Sequence, residues 1–158
     1  LIMATLTLTL KEELELNGRE RGSEMVLSIG SVTEAYHRII TCPANNDTTI
    51  ATFQTAVHTS DNAIDLEDAK YIRVTNLDAA NPVVLSLQIS NDEDGAADAS
   101  TSISLAAGMS YIMGSPHETI ACDDDSAAII TDAALHDLES ILVDPLGNAV
   151  VVEVFILS

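Results

Sequence analysis

The chain has 158 residues, 47% hydrophobic but only 3% aromatic with no Trp, and carries 25 acidic against 6 basic side chains, a formal net charge of −19. That length and apolar content suit one globular domain, or a sandwich with a small appendage, whose core is built from Leu, Ile, Val and Ala. The charge repels nucleic-acid phosphates and anionic membranes, and the shortage of rings argues against a sugar-binding or base-stacking surface.

Met3 followed by Ala4-Thr5 reads as a natural start, which makes Leu1 and Ile2 extraneous or the sign of an upstream start; the N-terminus lacks the basic-then-apolar pattern of a signal peptide, and there is no apolar run long enough for a transmembrane helix. Ala4, Leu6, Leu8 and Leu10 then alternate with Thr5, Thr7, Thr9 and Lys11, and the same phase continues through Leu14 and Leu16. Period two is the strand signal, and the Thr content favours strand over the rival helix at Lys11–Leu16. Glu12 breaks the phase, so a bend or bulge is expected there. Asn17-Gly18 begins a turn that Gly22 closes, Met25 to Ile29 reads as the return strand, Gly30-Ser31 breaks it, and Val32 to Cys42 reads as a third strand. Together these form an N-terminal β-hairpin or meander over residues 3–42.

After the loop at Pro43–Asp47, Thr48 to Phe53 is a short strand, while Thr55 to Ala69 is open between a helical turn and a crossing loop. Tyr71 to Leu77 is a strand, with Val83 to Ile89 as its expected hairpin partner across Asp78–Pro82. An acidic loop at Asn91–Ala99 leads to strands at Thr101–Leu105 and Met109–Met113. Glu118–Ala121 and Ala127–Thr131 read as strands flanking Asp123-Asp124-Asp125. Ser140–Val143 and Ala149–Leu157 read as a final hairpin around Asp-Pro-Leu-Gly-Asn. Many short strands without strand–helix alternation predict an all-β fold, an antiparallel β-sandwich of jelly-roll-like type over residues 43–158, preceded by the N-terminal meander or arm. A single continuous domain over 3–158 is the alternative.

Catalytic and metal motifs are missing from the sequence. His37, His58, His117 and His136 fall in no H-E-x-x-H context, and there is no G-x-S-x-G elbow, P-loop or G-x-G-x-x-G fingerprint. Cys42 and Cys122 are distant and outside any C-x-x-C pair; two buried thiols are favoured over a disulfide, and a zinc site lacks ligands. Asn91-Asp92-Glu93-Asp94-Gly95 fails as an EF-hand loop because Thr101 stands where the closing Glu belongs. Calcium could bind the acidic loops only with ligands recruited from other strands or another subunit. A glycosidase would want sugar platforms that Tyr36, Tyr71 and Tyr111 do not supply. The expectation is therefore no enzyme and no cofactor.

The basic residues are Lys11, Arg19, Arg21, Arg38, Lys70 and Arg73, whereas residues 74–158 carry 14 acidic side chains and no Lys or Arg. Arg19 and Arg21, at the tip of the first hairpin, and Arg38, on the third strand, are the candidate interaction residues. A basic tip on so acidic a chain suits docking on an acidic partner; the plainer alternative is an ordinary charged turn neutralised by Glu20 and Glu24.

The block Tyr71-Ile-Arg-Val-Thr-Asn-Leu-Asp, then Pro82-Val-Val-Leu-Ser-Leu-Gln-Ile, then Ile103-Ser-Leu-Ala-Ala-Gly-Met-Ser-Tyr-Ile-Met resembles the small β-sandwich virion proteins of tailed bacteriophages, especially marine ones, and the opening Leu6–Arg21 stretch is similar to them too. The resemblance covers residues 3–115. It implies a capsid decoration (cement) protein, with a tail, collar or head-fibre component as the alternative. It also implies a homotrimer on the capsid exterior, made in the host cytoplasm, whose partners are copies of itself and the major capsid protein or another virion protein, with neither nucleic acid nor membrane. A β-sandwich module for a cell surface or glycan, calcium-dependent or not, is the reading from another class.

Overall fold

The computed structural model describes residues 3–54, 63–65, 68–90, 99–113 and 137–158. Every regular element among them is a β-strand, and the chain divides into two compact units, Leu1–Glu34 and Ala35–Ser158.

The first unit is a ribbon. Strands β1 (Ala4–Lys11) and β4 (Glu24–Val32) pair antiparallel, Leu6 opposite Ile29, Leu8 opposite Leu27 and Leu10 opposite Met25. Between them, β2 (Glu15–Leu16) and β3 (Arg19–Glu20) form a minimal hairpin. Asn17 and Gly18 are its whole loop, with φ of 54° and 70°. Two successive positive φ values define the type I′ turn, whose twist matches that of the strands it joins. The expected bend at Glu12 is the point where β1 ends. Gly30-Ser31 is a bulge within β4 and does not end it: Ser31 takes φ 57°, and the register steps between Leu6–Ile29 and Ala4–Val32.

The second unit is the sandwich. Its strands are β5 (Ala35–Cys42), β6 (Thr48–Gln54), β7 (Ile64–Asp65), β8 (Tyr71–Asn76), β9 (Val83–Ser90), β10 (Ala99–Leu105), β11 (Ser110–Met113), β12 (Asp137–Asp144) and β13 (Val150–Leu157). One sheet has the order β10-β9-β12-β6-β7 and the other β11-β8-β13-β5. Setting aside the short parallel β7, each sheet contributes four strands, and the chain changes sheet at every step but β9 to β10. That interleaving is the jelly-roll arrangement, so the fold is an all-β antiparallel sandwich of jelly-roll type.

Three expected pairings differ. Ala35–Cys42 does not close a meander on β4; it joins the sandwich as β5, paired along its length with β13. The expected hairpins β8–β9 and β12–β13 are crossings between sheets: β8 pairs with β11 and β13, and β9 with β10 and β12. The reason is geometric. A strand buries alternate residues whether its neighbour lies beside it or across the core, and links of five or six residues are long enough to change sheets. The expected strands at Glu118–Ala121 and Ala127–Thr131, the acidic loops at residues 91–98 and 123–125, Cys122, and His58, His117 and His136 lie outside the described residues.

β13 shows how the core is written. In Val-Val-Val-Glu-Val-Phe-Ile-Leu, Val150, Val152, Val154 and Ile156 are buried, while Val151, Glu153 and Phe155 look outward. Facing them are Ile50, Leu85, Leu87, Leu138, Ile141 and Val143 of the other sheet, with Phe53 the bulkiest member. Burying one such side chain contributes about 1.5–3 kcal/mol. Cys42 joins this core as a free thiol whose pKa burial pushes up, and the Tyr36 hydroxyl crosses between sheets to donate to the Ile50 carbonyl at 3.2 Å.

The loops 43–47, 77–82, 106–109 and 145–149 all leave strands at the same end of the sandwich. Asn76, the Asn of the Tyr-Ile-Arg-Val-Thr-Asn motif and fully buried, braces them. Its Nδ2 lies 2.9 Å from the Asn81 carbonyl and 3.3 Å from those of Leu105 and Ala106, and its Oδ1 accepts from the Asp78 amide at 3.0 Å. A buried amide so satisfied fixes loop geometry where an unsatisfied one would destabilise it.

Candidate interaction site

The ribbon carries the first candidate surface. Directly opposed residues of an antiparallel pair share a face, so Leu6, Leu8 and Leu10 with Ile29, Leu27 and Met25 make one face wholly aliphatic. Leu10, Met25 and Leu27 are 50%, 55% and 45% exposed. The other face is Thr7 beside Ser28, Thr9 beside Val26 and Lys11 beside Glu24. A sheet of two strands with Leu10, Met25 and Leu27 about half exposed lacks what usually stabilises a strand pair.

At the ribbon's tip, Leu14 and Leu16 are exposed beside Arg19 and Arg21. Glu20, expected to neutralise the arginines, turns to the backbone: its Oε1 accepts from the Gly22 amide at 2.6 Å and the Leu14 amide at 3.2 Å. The Gly22 bond first, then that from Leu14, holds the Glu20 carboxyl below the usual range. Lys11 pairs with Glu13. Arg19 and Arg21 have no ion pair among the described residues. Both arginines are exposed, and the exposed carboxylates of Glu12, Glu13, Glu15 and Glu24 lie in the same segment, with Glu15 directly opposite Glu20 in the hairpin.

Arg38 belongs to the other unit, on β5, where its guanidinium stacks 4.8 Å above the Tyr36 ring. It is separate from the tip pair in the fold's organisation, and its aromatic contact gives it a structural role.

Sequence reasoning missed a cluster on the outer face of the β11-β8-β13-β5 sheet. Glu153 on β13 lies between β5 and β8. Its Oε1 is 2.8 Å from His37 Nε2 and its Oε2 is 2.8 Å from the Arg73 guanidinium. The hydrogen bond with His37, then the charge and hydrogen bond of Arg73, hold the Glu153 carboxyl below the usual range against the opposing effect of its burial. Arg73 also donates to Thr75 Oγ1 at 2.7 Å, which is 2.8 Å from Ser110 Oγ, and Phe155 stands edge-on to His37. No local signal could reveal this cluster, because His37 and Glu153 are 116 residues apart and meet only through the β5–β13 register. With both Glu153 oxygens engaged, the cluster is a clasp across three strands and a poor general base. Among the described residues, no group of three or more His, Cys, Asp or Glu side chains could hold a metal ion.

No family model and no curated protein matches this chain. A search of solved structures finds similarity to a chain of Bacillus endospore appendages, described as a family of disulfide-linked pili, at 12% identity and a TM-score of 0.41, covering 78% of this chain and 83% of that one.

Proposed function

We propose that this chain is a non-enzymatic structural subunit that decorates or cements the capsid of a tailed bacteriophage, held in place by packing between subunits. The observation that carries this reading is the ribbon: six aliphatic side chains on one face of a two-stranded sheet, three of them about half exposed. Selection for a free monomer would remove such a face, and a neighbouring surface that covers it turns it into an adhesive.

Magnitudes favour an array over a lone pair. Covering the exposed half of Leu10, Met25 and Leu27 yields about 1 kcal/mol each, or about 3 kcal/mol in all, with a smaller share from the less exposed Leu6, Leu8 and Ile29. Association of two free molecules costs at least about 4 kcal/mol in lost freedom, so one ribbon contact is weak and a closed oligomer on a repeating shell is strong through multivalency. A homotrimer is the order the virion resemblance implies. The acidic exterior repels DNA and other particles, which suits a coat's outer side.

The test is sedimentation of the purified chain together with cosedimentation on capsids lacking decoration. Saturable binding at a fixed ratio per capsid subunit is the expected result. A strict monomer with no affinity for capsids removes the proposal.

A further inference from the structure

We propose that β10, an outer strand of the sandwich, pairs antiparallel with β10 of a second copy across a two-fold axis. The contact belongs to the sandwich and not to the ribbon, and it stands whether or not the chain coats a capsid.

β10 ends the sheet order β10-β9-β12-β6-β7, and its far side pairs with no strand among the described residues. An open edge offers unpaired N–H and C=O groups to any extended chain, so proteins shorten it, charge it, bulge it or break it with Pro. The other outer strands of the sandwich carry such protection: β7 has two residues, β11 has four, and β5 carries Arg38. β10 carries none. It runs for seven residues, Ala-Ser-Thr-Ser-Ile-Ser-Leu, without a charge or a Pro, and its register with β9 is unbroken. β9 is uncharged as well.

The residues of the strand identify its partner. Ser100, Ser102 and Ser104 are exposed, while Thr101, Ile103 and Leu105 lie on the core side. About a two-fold axis at Ser102 every residue of the strand finds a mate. Ser102 meets its own copy, Ser100 meets Ser104, Thr101 meets Ile103 and Ala99 meets Leu105. Hydroxyls then oppose hydroxyls on the outer face, and β-branched or apolar side chains oppose each other on the inner one. A slip of one residue would set the serine row against the core row. The pairing also covers an open side of the core. Ile103 is only partly buried, as are Tyr111 and Met113 of β11, the outer strand of the other sheet. The second copy's Ile103 comes to lie diagonally beside the first.

Charge sets the direction. On a molecule of net charge −19, contact between copies is repulsive wherever acid meets acid, and an uncharged strand edge avoids that cost. Asp92, Glu93, Asp94 and Asp98 precede Ala99 in the sequence. A parallel pair would bring the two Ala99 ends to the spacing of neighbouring strands, about 5 Å. The antiparallel pair holds them about 20 Å apart, beyond the screening length of about 8–10 Å. It sets each Ala99 end beside the uncharged Ala106-Ala107-Gly108-Met109 that follows Leu105 in the second copy. Asp78, in the neighbouring loop, has its carboxylate turned to the amides of Ala80 and Asn81.

The experiment is sedimentation velocity on the full chain over a range of concentrations, with amide hydrogen exchange on the same samples. The wild-type chain self-associates, and exchange across Ser100–Ser104 slows as concentration rises. Ser102 is exposed, so Ser102→Lys and Ser102→Glu leave the melting temperature of the monomer as it is. Each sets like charges opposite one another at the axis and weakens association about tenfold. The Lys variant separates local from general effects, because its lower net charge would otherwise favour association. An equal mixture of the two variants associates about tenfold more tightly than either alone, since Lys then faces Glu across the axis. A contact that does not bring residue 102 against its own copy gives no such rescue. The pairing is overturned by a strict monomer, by association that ignores both substitutions, by a Ser102→Lys chain that associates more tightly than wild type, or by exchange at Ser100–Ser104 that does not change with concentration. Any of these leaves the capsid reading in place if the chain still binds capsids. A β10 dimer with no affinity for capsids supports the pairing and removes the capsid reading alone.

Discussion

Gly22 sits where the returning backbone passes so close to Glu12 that no side chain fits. A Cβ placed there would overlap the Glu12 carbonyl oxygen and lie 2.7 Å from its carbon and 2.8 Å from Glu20 Oε1. The obstacle is backbone, which cannot swing away, so the strands on either side of the break at Glu12 must separate. Gly22→Ala is therefore expected to cost the ribbon about 2–3 kcal/mol, as overpacking does, and to speed hydrogen exchange at the amides of Glu12 and Arg21, which bond across this point to Ser23 and Leu14. Gly30→Ala is the control, because a Cβ there meets nothing within 4 Å and exchange at those amides should stay as it is. The same segment shows what single residues reveal in a sequence. Asn17-Gly18 announces a turn because those two residue types tolerate positive φ. Gly22 looks like part of that turn, and its different purpose, close approach, depends on Glu12 ten positions earlier.

The β5–β13–β8 strand triplet is joined by main-chain ladders and by Glu153, which bridges His37 on one neighbour and Arg73 on the other. Because the folded carboxyl titrates below its usual range, the unfolded chain takes up its proton first as pH falls. The clasp's contribution is thus complete above the ordinary carboxylate pKa and is lost as pH drops through the lower folded value. Glu153→Gln should destabilise the sandwich by about 1 kcal/mol near pH 7, and the difference from wild type should shrink towards zero by about pH 2. Urea unfolding of both proteins across that range measures it, and taking the difference removes the relief of general acidic repulsion that both share. A gap that stays constant with pH would assign the cost to packing. The strands themselves are legible from period two, since Val150, Val152, Val154 and Ile156 alternate with outward residues. Their pairing is not. Tyr71–Asn76 and Val83–Ser90, or Asp137–Asp144 and Val150–Leu157, look like hairpins because inward-facing alternation is the same whether the partner is lateral or opposite. The clasp is illegible for the same reason: it needs the register.

In the molecule as a whole, charge and hydrophobicity are divided unevenly. The sandwich buries a continuous aliphatic core, whereas the ribbon lines one face with aliphatic residues of which Leu10, Met25 and Leu27 are about half exposed. Sequence alternation at Leu6, Leu8 and Leu10 marks that face but cannot tell whether anything covers it, because covered and uncovered faces are written alike. The tip arginines were legible for a simpler reason, that bases are rare in this chain and two fall beside an Asn-Gly turn. If the ribbon face is the adhesive, its removal should dissolve the assembly without harming the fold. Leu8 and Leu27 oppose each other at its centre. Replacing both by Thr puts β-branched strand formers there while deleting about 2 kcal/mol of intermolecular burial, equivalent to about a 30-fold weaker oligomer. Sedimentation equilibrium reads that shift directly. The Glu153 clasp and the Asn76 brace lie in the other unit, so the sandwich should melt at the wild-type temperature when both proteins are monomeric. An oligomer that forms equally well with Thr at both positions would move the adhesive role from this face to the strand edges or the tip.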